Sequence, residues 1–552
     1  MLRSTFLGYK TATSALRTNQ NIMDVVGQNL SNINTKGYTR QRLDINSVSF
    51  NARNLKYGTA KGIIGQGVET SGVSQYRDSF LDFRYRTEAA KVGNEQVQFE
   101  ALSDLEDIFD EIISNDGLDS QFTHLLEQLQ SLTSNPSDPV FEGVVRTSAE
   151  MLTQMFNNYS RRIDTIKEQQ YTYLNDGAIE KVNQLMDNIA KLNNQIKESN
   201  ISGNSALELN DERNLLIDEL SNYLDIEVSL EPLSIGGNKT IDLLSIKLKS
   251  NGMKLVNDSE AAEIGLGKGT YKDDVSIKLV KTVDDTEDPA GGGKLKFEAG
   301  LDLTQQIDRG QIGGYIKFLN GKGDFSTSGD DFETSKGIQY YEKMLDVLAN
   351  KFAAEMNNAN KNVKTDNDGN PIIVGEEYQY EDRPLFSARG EDPNVVGSDI
   401  ITAANIKISE DWANSTSSYL TNTVIPTTGD DDSGATDNIL KMISLFNRED
   451  GNFKFSTNID GTGKQLFEGT LQEFMSYTTT RLNLQVSDVK TSYNTYAETM
   501  YTIDYEKSSI SSVDLNEEGV NLLQYSKSYN AAARLMTTLD EMLDTLINRM
   551  GV

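Results

Sequence analysis

The last stretch of the chain, Leu515 to Met550, limits its folding more than any other. Leu522, Tyr525, Tyr529, Ala532, Met536, Leu539, Leu543, Leu546 and Met550 follow one another at steps of 3, 4, 3, 4, 3, 4, 3 and 4. That is the a/d spacing of a coiled coil, and neither Gly nor Pro interrupts it after Val520 until Met550. Asp514 and Glu517 supply an N-cap and a third-position carboxylate where the helix starts. An apolar stripe of this kind has no partner inside its own helix, so a second helix must cover it.

The opening residues offer one. Leu2, Phe6, Tyr9, Leu16, Met23 and Leu30 also sit at a/d spacing, with Thr13, Gln20 and Gly27 in the weaker places between. Val26 and Ile33 widen the apolar face. This helix should stop near Asn34-Thr35-Lys36-Gly37, where the glycine supplies a left-handed cap. The expectation is that the two ends pair, leaving residues 40 to 510 inserted into a two-helix stem. The alternative is that each seam packs on its own neighbouring domain. A lone helix pair buries little, and Val26, Leu523 and Leu535 would still face outward. The ends should therefore be loose in a free monomer and order in an assembly.

Between the ends, the hydrophobic period changes twice. Tyr38 to Asn46 and Ile63 to Val73 read as extended; Gly65-Gln-Gly67 lacks the third glycine and the strand-to-helix context of a dinucleotide fingerprint. From Tyr76 to about residue 223 the pattern is helical, with a second 3–4 seam at Val182, Leu185, Ile189, Leu192 and Ile196. From Ile226 the period is two, through Leu244-Ile246-Leu248, Val275-Ile277-Leu279 and Leu295-Phe297, which predicts a β-rich segment. Helix returns after Gly310, strongly so at Tyr340, Met344, Leu345, Leu348, Phe352 and Met356. Residues 362–437 are loop-rich and acidic. Asp366, Asp368 and Asp430 to Asp432 do not fit an EF-hand, because the first ligand position would fall on Lys364; they read as solvated turns. A helical block from about Asn438 to Ser509 leads into the closing helix.

Composition narrows the chemistry. At 552 residues the chain is too long for one core. A net charge of −31 leaves no basic stripe for nucleic acid or an anionic membrane, and its plain reading is solubility. There is no cysteine, which removes disulfides, thiolate metal sites and thiol nucleophiles. The single histidine, His124, lies on or beside the apolar face of a helix and reads as structural. No run approaches a membrane span, and the N-terminus lacks the apolar core of a cleaved secretory signal, so any exit from the cell would use another route. No catalytic, cofactor-binding or metal residues are assigned.

Several stretches resemble the bacterial flagellar axial proteins. They are Gln28-Asn-Leu-Ser-Asn-Ile-Asn-Thr-Lys-Gly-Tyr-Thr-Arg-Gln41, Gly65-Gln-Gly-Val68 followed by Tyr76-Arg-Asp-Ser-Phe-Leu81, and the closing Asn516 to Arg534. Ser134-Asn-Pro-Ser-Asp138, Leu209-Asn-Asp-Glu-Arg213 through Ser221, and Gly310-Gln-Ile-Gly-Gly314 narrow the resemblance to the hook–filament junction family, FlgK. It covers roughly residues 1–225, 305–360 and 438–552 and is thin elsewhere. The resemblance implies a ring of subunits between hook and filament, export in unfolded form through the flagellar type III apparatus, and a cytoplasmic export chaperone on the C-terminal region. It implies as partners other copies of the chain, the hook protein and the second hook-associated protein.

The fold expected is multidomain: a mainly α core, made of a terminal coiled coil and a long helical rod, with inserted β-rich outer parts. The boundaries read are 1–40 with 512–552 for the stem, 41–225 with 306–361 and 438–511 for the rod, 226–305 for the β-rich insertion, and 362–437 for the acidic insertion. The leading function is structural. The alternatives are a neighbouring axial protein, such as the hook protein or the second hook-associated protein, or a secreted hydrolase within 226–437. No spacing in that last segment singles out an acid and a base.

Overall fold

The N-terminal helix α1 (Thr5–Ser31) ends in a turn closed by Gly37, whose φ of 81° is the left-handed conformation expected there. The chain then forms an antiparallel hairpin, β1 (Gln41–Ser47) with β2 (Val68–Gln75). The structure is a computed structural model that describes residues 5–48, 67–113, 117–236, 239–267, 272, 274–283, 299–327, 329–364, 366, 371–374, 377–381, 383–389, 401–415, 419–420, 435–447, 452–458 and 463–545. Leu2, Leu546, Met550, Leu295, Phe297, Asp368 and Asp430 to Asp432 lie outside the described residues.

The rod is built on α2 (Ser79–Ile112), opened by Asp78 as N-cap, and the later α12 (Leu471–Ser511), opened by a Thr470–Glu473 capping box. They run antiparallel: Thr479 lies beside Phe109, Tyr493 stacks on Phe99 with ring centroids 6.3 Å apart, and Glu506 lies 3.5 Å from Arg84. Around them pack α3 (Leu118–Leu132), α4 (Pro139–Thr172), α5 (Glu180–Ile201) and α6 (Leu207–Tyr223), with a π-helical turn at Tyr173–Ile179 joining α4 to α5. Pro139 at the first turn costs α4 nothing, because that N–H has no intrahelical partner. The five seam residues of α5 are all buried. His124 on α3 lies beside the buried face and is itself exposed, 3.7 Å from Glu127.

The period-two segment forms β3 (Ile226–Gly236), β4 (Lys239–Leu248), β5 (Lys254–Asn257) and β6 (Glu260–Ala261) in one antiparallel sheet, with β7 (Glu263–Leu266) paired to β8 (Ile277–Lys281). Ile246, Val256, Ile264 and Ile277 bury against the helices, and Asn183 of α5 donates to the Ile264 carbonyl at 2.8 Å. Toward the tip of β3, Leu230 and Leu233 are exposed.

Helix α7 (Gly310–Asn320) comes against α2 so closely that a Cβ on Gly314 would stand 2.7 Å from the Asn94 carbonyl oxygen. The short α8 (Asp331–Thr334) precedes α9 (Ile338–Ala359), whose Phe352 packs edge-on against Phe122 at 5.3 Å. The strands of the acidic segment among the described residues are short and pair in twos: β9 (Asn362–Val363), β10 (Ile373–Val374), β11 (Glu377–Tyr378), β12 (Tyr380–Glu381), β13 (Phe386–Ala388) and β14 (Ile406–Ile408). Helix α10 (Glu410–Asn414) carries Trp412, whose indole N–H donates to the buried Glu142 at 3.1 Å.

The helical block expected from Asn438 to Ser509 is interrupted. After α11 (Asp437–Ser444), a hairpin of β15 (Phe453–Ser456) and β16 (Gln465–Gly469) intervenes before α12. The reason is local: Phe453 and Phe455 alternate on one face, and Phe455 stacks on Phe474 of α12 at 4.1 Å. A three-residue break then separates α12 from α13 (Leu515–Asp544), which Asp514 caps by accepting from the Asn516 and Glu517 N–H groups.

Candidate functional site: the terminal stem and its joint

Helices α1 and α13 pack on each other antiparallel. A Cβ on Gly8 would lie 3.4 Å from both Leu539 methyls, and the Thr13 hydroxyl points at the Met536 sulfur, 4.0 Å away. Thr13 lies on the stripe of Tyr9, Leu16, Met23 and Leu30 and Gly8 beside it, so the stripe turns toward α13 there. Leu16, Met23 and Leu30 are half-buried, as are Tyr525, Tyr529, Met536, Leu539 and Leu543 across from them. Tyr9 and Leu522 remain exposed, at 43% and 38%, and Ala532 alone among the apolar residues of α13 is fully buried. Phe6 belongs to α1.

A second flank of α1 is the better covered. Ile22, Val26 and Asn29 are buried, because the β1–β2 hairpin lies over that side. Asn29 holds the hairpin: its Nδ2 donates to the Gln41 carbonyl at 2.9 Å, and its Oδ1 accepts from the Gln41 N–H at 3.0 Å and the Tyr38 hydroxyl at 3.0 Å. Val26, expected to face outward, is therefore interior.

Apolar residues of α13 outside the seam are uncovered: Val520, Leu523, Leu535 and Met542 are 62%, 64%, 49% and 53% exposed, and Leu515, one heptad before Leu522 on the seam line, is 61% exposed. One helix has a single partner helix, so half of its circumference stays open to water.

Where the stem enters the rod, a cleft of about 920 Å³ is bordered by charged residues from four separate segments. Arg40 donates from Nε to Glu518 at 2.7 Å and from Nη1 to Glu517 at 2.9 Å, and its N–H bonds the Ser511 carbonyl at 2.8 Å. Burial works against the charged Arg40, but the two glutamates outweigh it and raise its pKa. Asp211 of α6, buried, accepts from the Thr39 N–H at 2.9 Å and the Gln75 side chain at 2.9 Å, and lies 3.8 Å from Arg77. Its pKa is raised because burial outweighs those hydrogen bonds. Asp82 shows the opposite balance. Burial would raise it, but Arg77 at 2.6 Å, Lys507 at 3.1 Å and Arg86 hold it below the usual carboxylate range. Asp218 of α6 joins Arg86 of α2, at 2.7 Å, to Lys507 of α12.

The sequence stretches that stood out separately thus meet in space. Residues 28–41, 76–81, 209–221 and 516–518 all converge on this joint. Arg40 and Glu517 are 477 positions apart, a pairing that no periodicity could have revealed. Among the described residues, no group of three His, Cys, Asp or Glu is arranged to hold a metal ion, and no helix is long and apolar enough to cross a membrane.

The two ends thus fold together around an inserted body, each with an incomplete apolar seam. The termini match two flagellar families: residues 10–39 match the flagella basal body rod protein family, and residues 508–550 the C-terminal family of flagellar basal body rod FlgEFG proteins. The class is that of the flagellar axial proteins. Residues 102–372 match the helical domain of flagellar hook-associated protein FlgK. The chain is 26% identical to flagellar hook-associated protein 1 of Bacillus subtilis (strain 168), over 100% of this chain and 99% of that one. It is 24% identical to the proteins of the same name from Salmonella typhimurium (strain LT2) and Escherichia coli (strain K12), each alignment covering 97% of this chain and 98% of the relative. Its fold is shared with the flagellar hook junction protein FlgK from Burkholderia pseudomallei, with a TM-score of 0.52 and 12% identity, over 78% of this chain and 100% of that one. The chain belongs to the FlgK family of hook-associated proteins. It is a structural component of the bacterial flagellum.

Proposed function

We propose that this chain is the subunit of a ring joining hook to filament. Its α1–α13 stem packs against the stems of neighbouring copies in an inner tube, and the rod and β-rich parts face outward. The observation that carries this reading is the exposure of Val520, Leu523, Leu535 and Met542 on a helix whose seam already meets α1. Apolar surface left on a helix gains about 25 cal/mol for each Å² removed from water, which favours covering it with a like stem. The assembly seam is then Leu2, Phe6, Tyr9, Leu16, Met23 and Leu30 with Leu522, Tyr525, Tyr529, Ala532, Met536, Leu539, Leu543, Leu546 and Met550, completed by Val520, Leu523, Leu535 and Met542. On one side the ring meets the hook protein, and on the other the second hook-associated protein.

The same exposed seam accounts for handling before assembly. The chain travels unfolded through the flagellar type III apparatus, and a cytoplasmic chaperone covers its C-terminal region until then. Replacing Leu523 and Leu535 together by Asp tests the assembly reading. Both side chains are exposed, so circular dichroism of the monomer should be unchanged while cells lose junctions and shed filament protein. Normal filaments on cells producing the double variant would overturn it.

A further inference from the structure

Arg213 of α6 stands apart from the ion pairs of the joint. It is 8% exposed, yet among the described residues no carboxylate lies within ion-pair distance of it. Its Nη1 donates to Asn193 at 3.0 Å and its Nη2 to Asn210 at 2.8 Å, while its Nε is buried with no acceptor. A guanidinium carries five N–H donors, so two amide oxygens leave it under-used. A buried cation without a counter-charge is costly to keep. Burial first, then the like charges of Arg77 and Arg86, lower its pKa to about 10.

Arg213 also lines a cleft of about 500 Å³ between the end of α5, the turn at 202–206, the start of α6 and the β3–β4 hairpin. The other polar residues of its walls are Asn200, Asn204, Ser205, Asn210, Thr240 and Asp242. All but Asp242 are neutral, and Asp242 is exposed. Helix α6 starts at the rim with Ala206 as N-cap, so no side chain satisfies its first N–H groups there.

We propose that this cleft binds a carboxylate, with Arg213 as its receptor and the neutral Asn and Ser side chains as supporting donors. The planar fork of a guanidinium matches a carboxylate through two parallel hydrogen bonds, and the buried setting strengthens each. Asp242 is the one wall residue that would repel such a ligand. Two sources share this chemistry: a free carboxylate, and an acidic side chain of a second copy, which a chain of net charge −31 has in excess.

The test is thermal unfolding of the full-length protein in sodium malonate against sodium chloride at equal ionic strength. Malonate should raise the midpoint of the wild type above its chloride value. Arg213→Gln should weaken the malonate dependence by on the order of tenfold or more, the loss of one charge-assisted pair. Asp242→Asn should strengthen it. Should Arg213→Gln not fold, Arg213→Lys keeps the charge without the fork and should still lose most of the malonate response. Equal malonate increments in wild type and Arg213 variants would overturn the proposal. So would a loss of stability by Asp242→Asn in chloride, because Asp242 would then be the counter-ion. Sedimentation velocity separates the sources: self-association weakened by malonate points to a second copy's carboxylate, and association indifferent to malonate points to a free one.

Discussion

Replacing Asp346 by Asn should make the protein more stable at alkaline pH and leave it unchanged in acid. Asp346 sits on α9, and its Oδ1 accepts from the Ala403 N–H at 2.9 Å. Asn350 donates to the Ile401 carbonyl at 3.0 Å, and Asn157 to the Ala403 and Ile406 carbonyls at 2.9 and 3.1 Å. Three side chains from two helices therefore hold the loop that leads into β14. Burial drives the Asp346 pKa up to about 7 from an ordinary 3.8; the Ala403 N–H and Lys343 resist, and Glu342 and Asp164 reinforce. Because the folded-state value is raised, the folded protein binds the extra proton between about pH 4 and pH 7. Stability is then fully present below that window and is lost as pH rises through it. At 1.36 kcal/mol per pH unit the ceiling is about 4 kcal/mol, and coupling to Glu342 brings the expected loss to about 2–4 kcal/mol. Asn keeps an acceptor for Ala403 and does not titrate. Urea unfolding of both proteins at several pH values from about 5 to 8 reads the difference, and hydrogen exchange at Ala403 localises it. Asp82, Asp274 and Asp324, whose pKa values are lowered, act with the opposite sign in both proteins and cancel in the comparison. A difference between the proteins that stays flat from pH 5 to pH 8, or an Asn variant weaker at pH 8, would refute the reasoning.

Arg40→Ala should loosen the stem from the rod by about 2 kcal/mol, since it removes charge-assisted bonds to the largely buried Glu518; proteolysis within α13 should quicken while α2 stays protected. Gly314→Ala should destabilise the body by about 1–3 kcal/mol by forcing α7 off Asn94 and Val97, whereas Gly143→Ala in α4, with nothing within 4 Å, should be neutral or slightly stabilising in the same melt. Glu142→Ala should strip the single tryptophan, Trp412, of its acceptor and leave the Tyr419 N–H unpaired, costing about 2–4 kcal/mol and shifting tryptophan emission to the red.

Much of this architecture was legible from periodicity. The α5 seam and the α9 core residues follow helical spacing, and the structure buries them; the closing helix is written at steps of three and four and lies along α1 with its described seam residues only partly covered. The strands of the β-rich segment were legible for the same reason, with a period of two. Apart from the pairing of the two ends, what could not be read mostly depends on neighbours distant in the chain. Val26 looked like an outward apolar residue because the hairpin that covers it is specified by Asn29 and Gln41, not by any repeat. The β15–β16 hairpin hid inside a helical stretch because its signal is two alternating phenylalanines, too short to outvote the helices beside it. Helix was legible to Ser509, close to the end of α12 at Ser511, but only its first turns and Ile503 are buried, and its start at Leu471 was not apparent. The joint was invisible as a unit. Arg40, Asp82, Asp211, Lys507 and Glu518 are ordinary charged residues one by one, and only the fold gathers them. Arg213 was quoted within a motif, but its lack of a counter-charge is a fact of packing.

The central claim is that the terminal stem is half a structure, completed by neighbouring copies. Hydrogen exchange of α13, measured in the free monomer and in purified hook–filament junctions, tests it most directly. Residues 515–544 should exchange quickly in the monomer and gain protection of at least about a hundredfold on assembly, while α2, α4 and α5 exchange alike in both states. Strong protection of α13 already in the free monomer, unchanged in the junction, would contradict it.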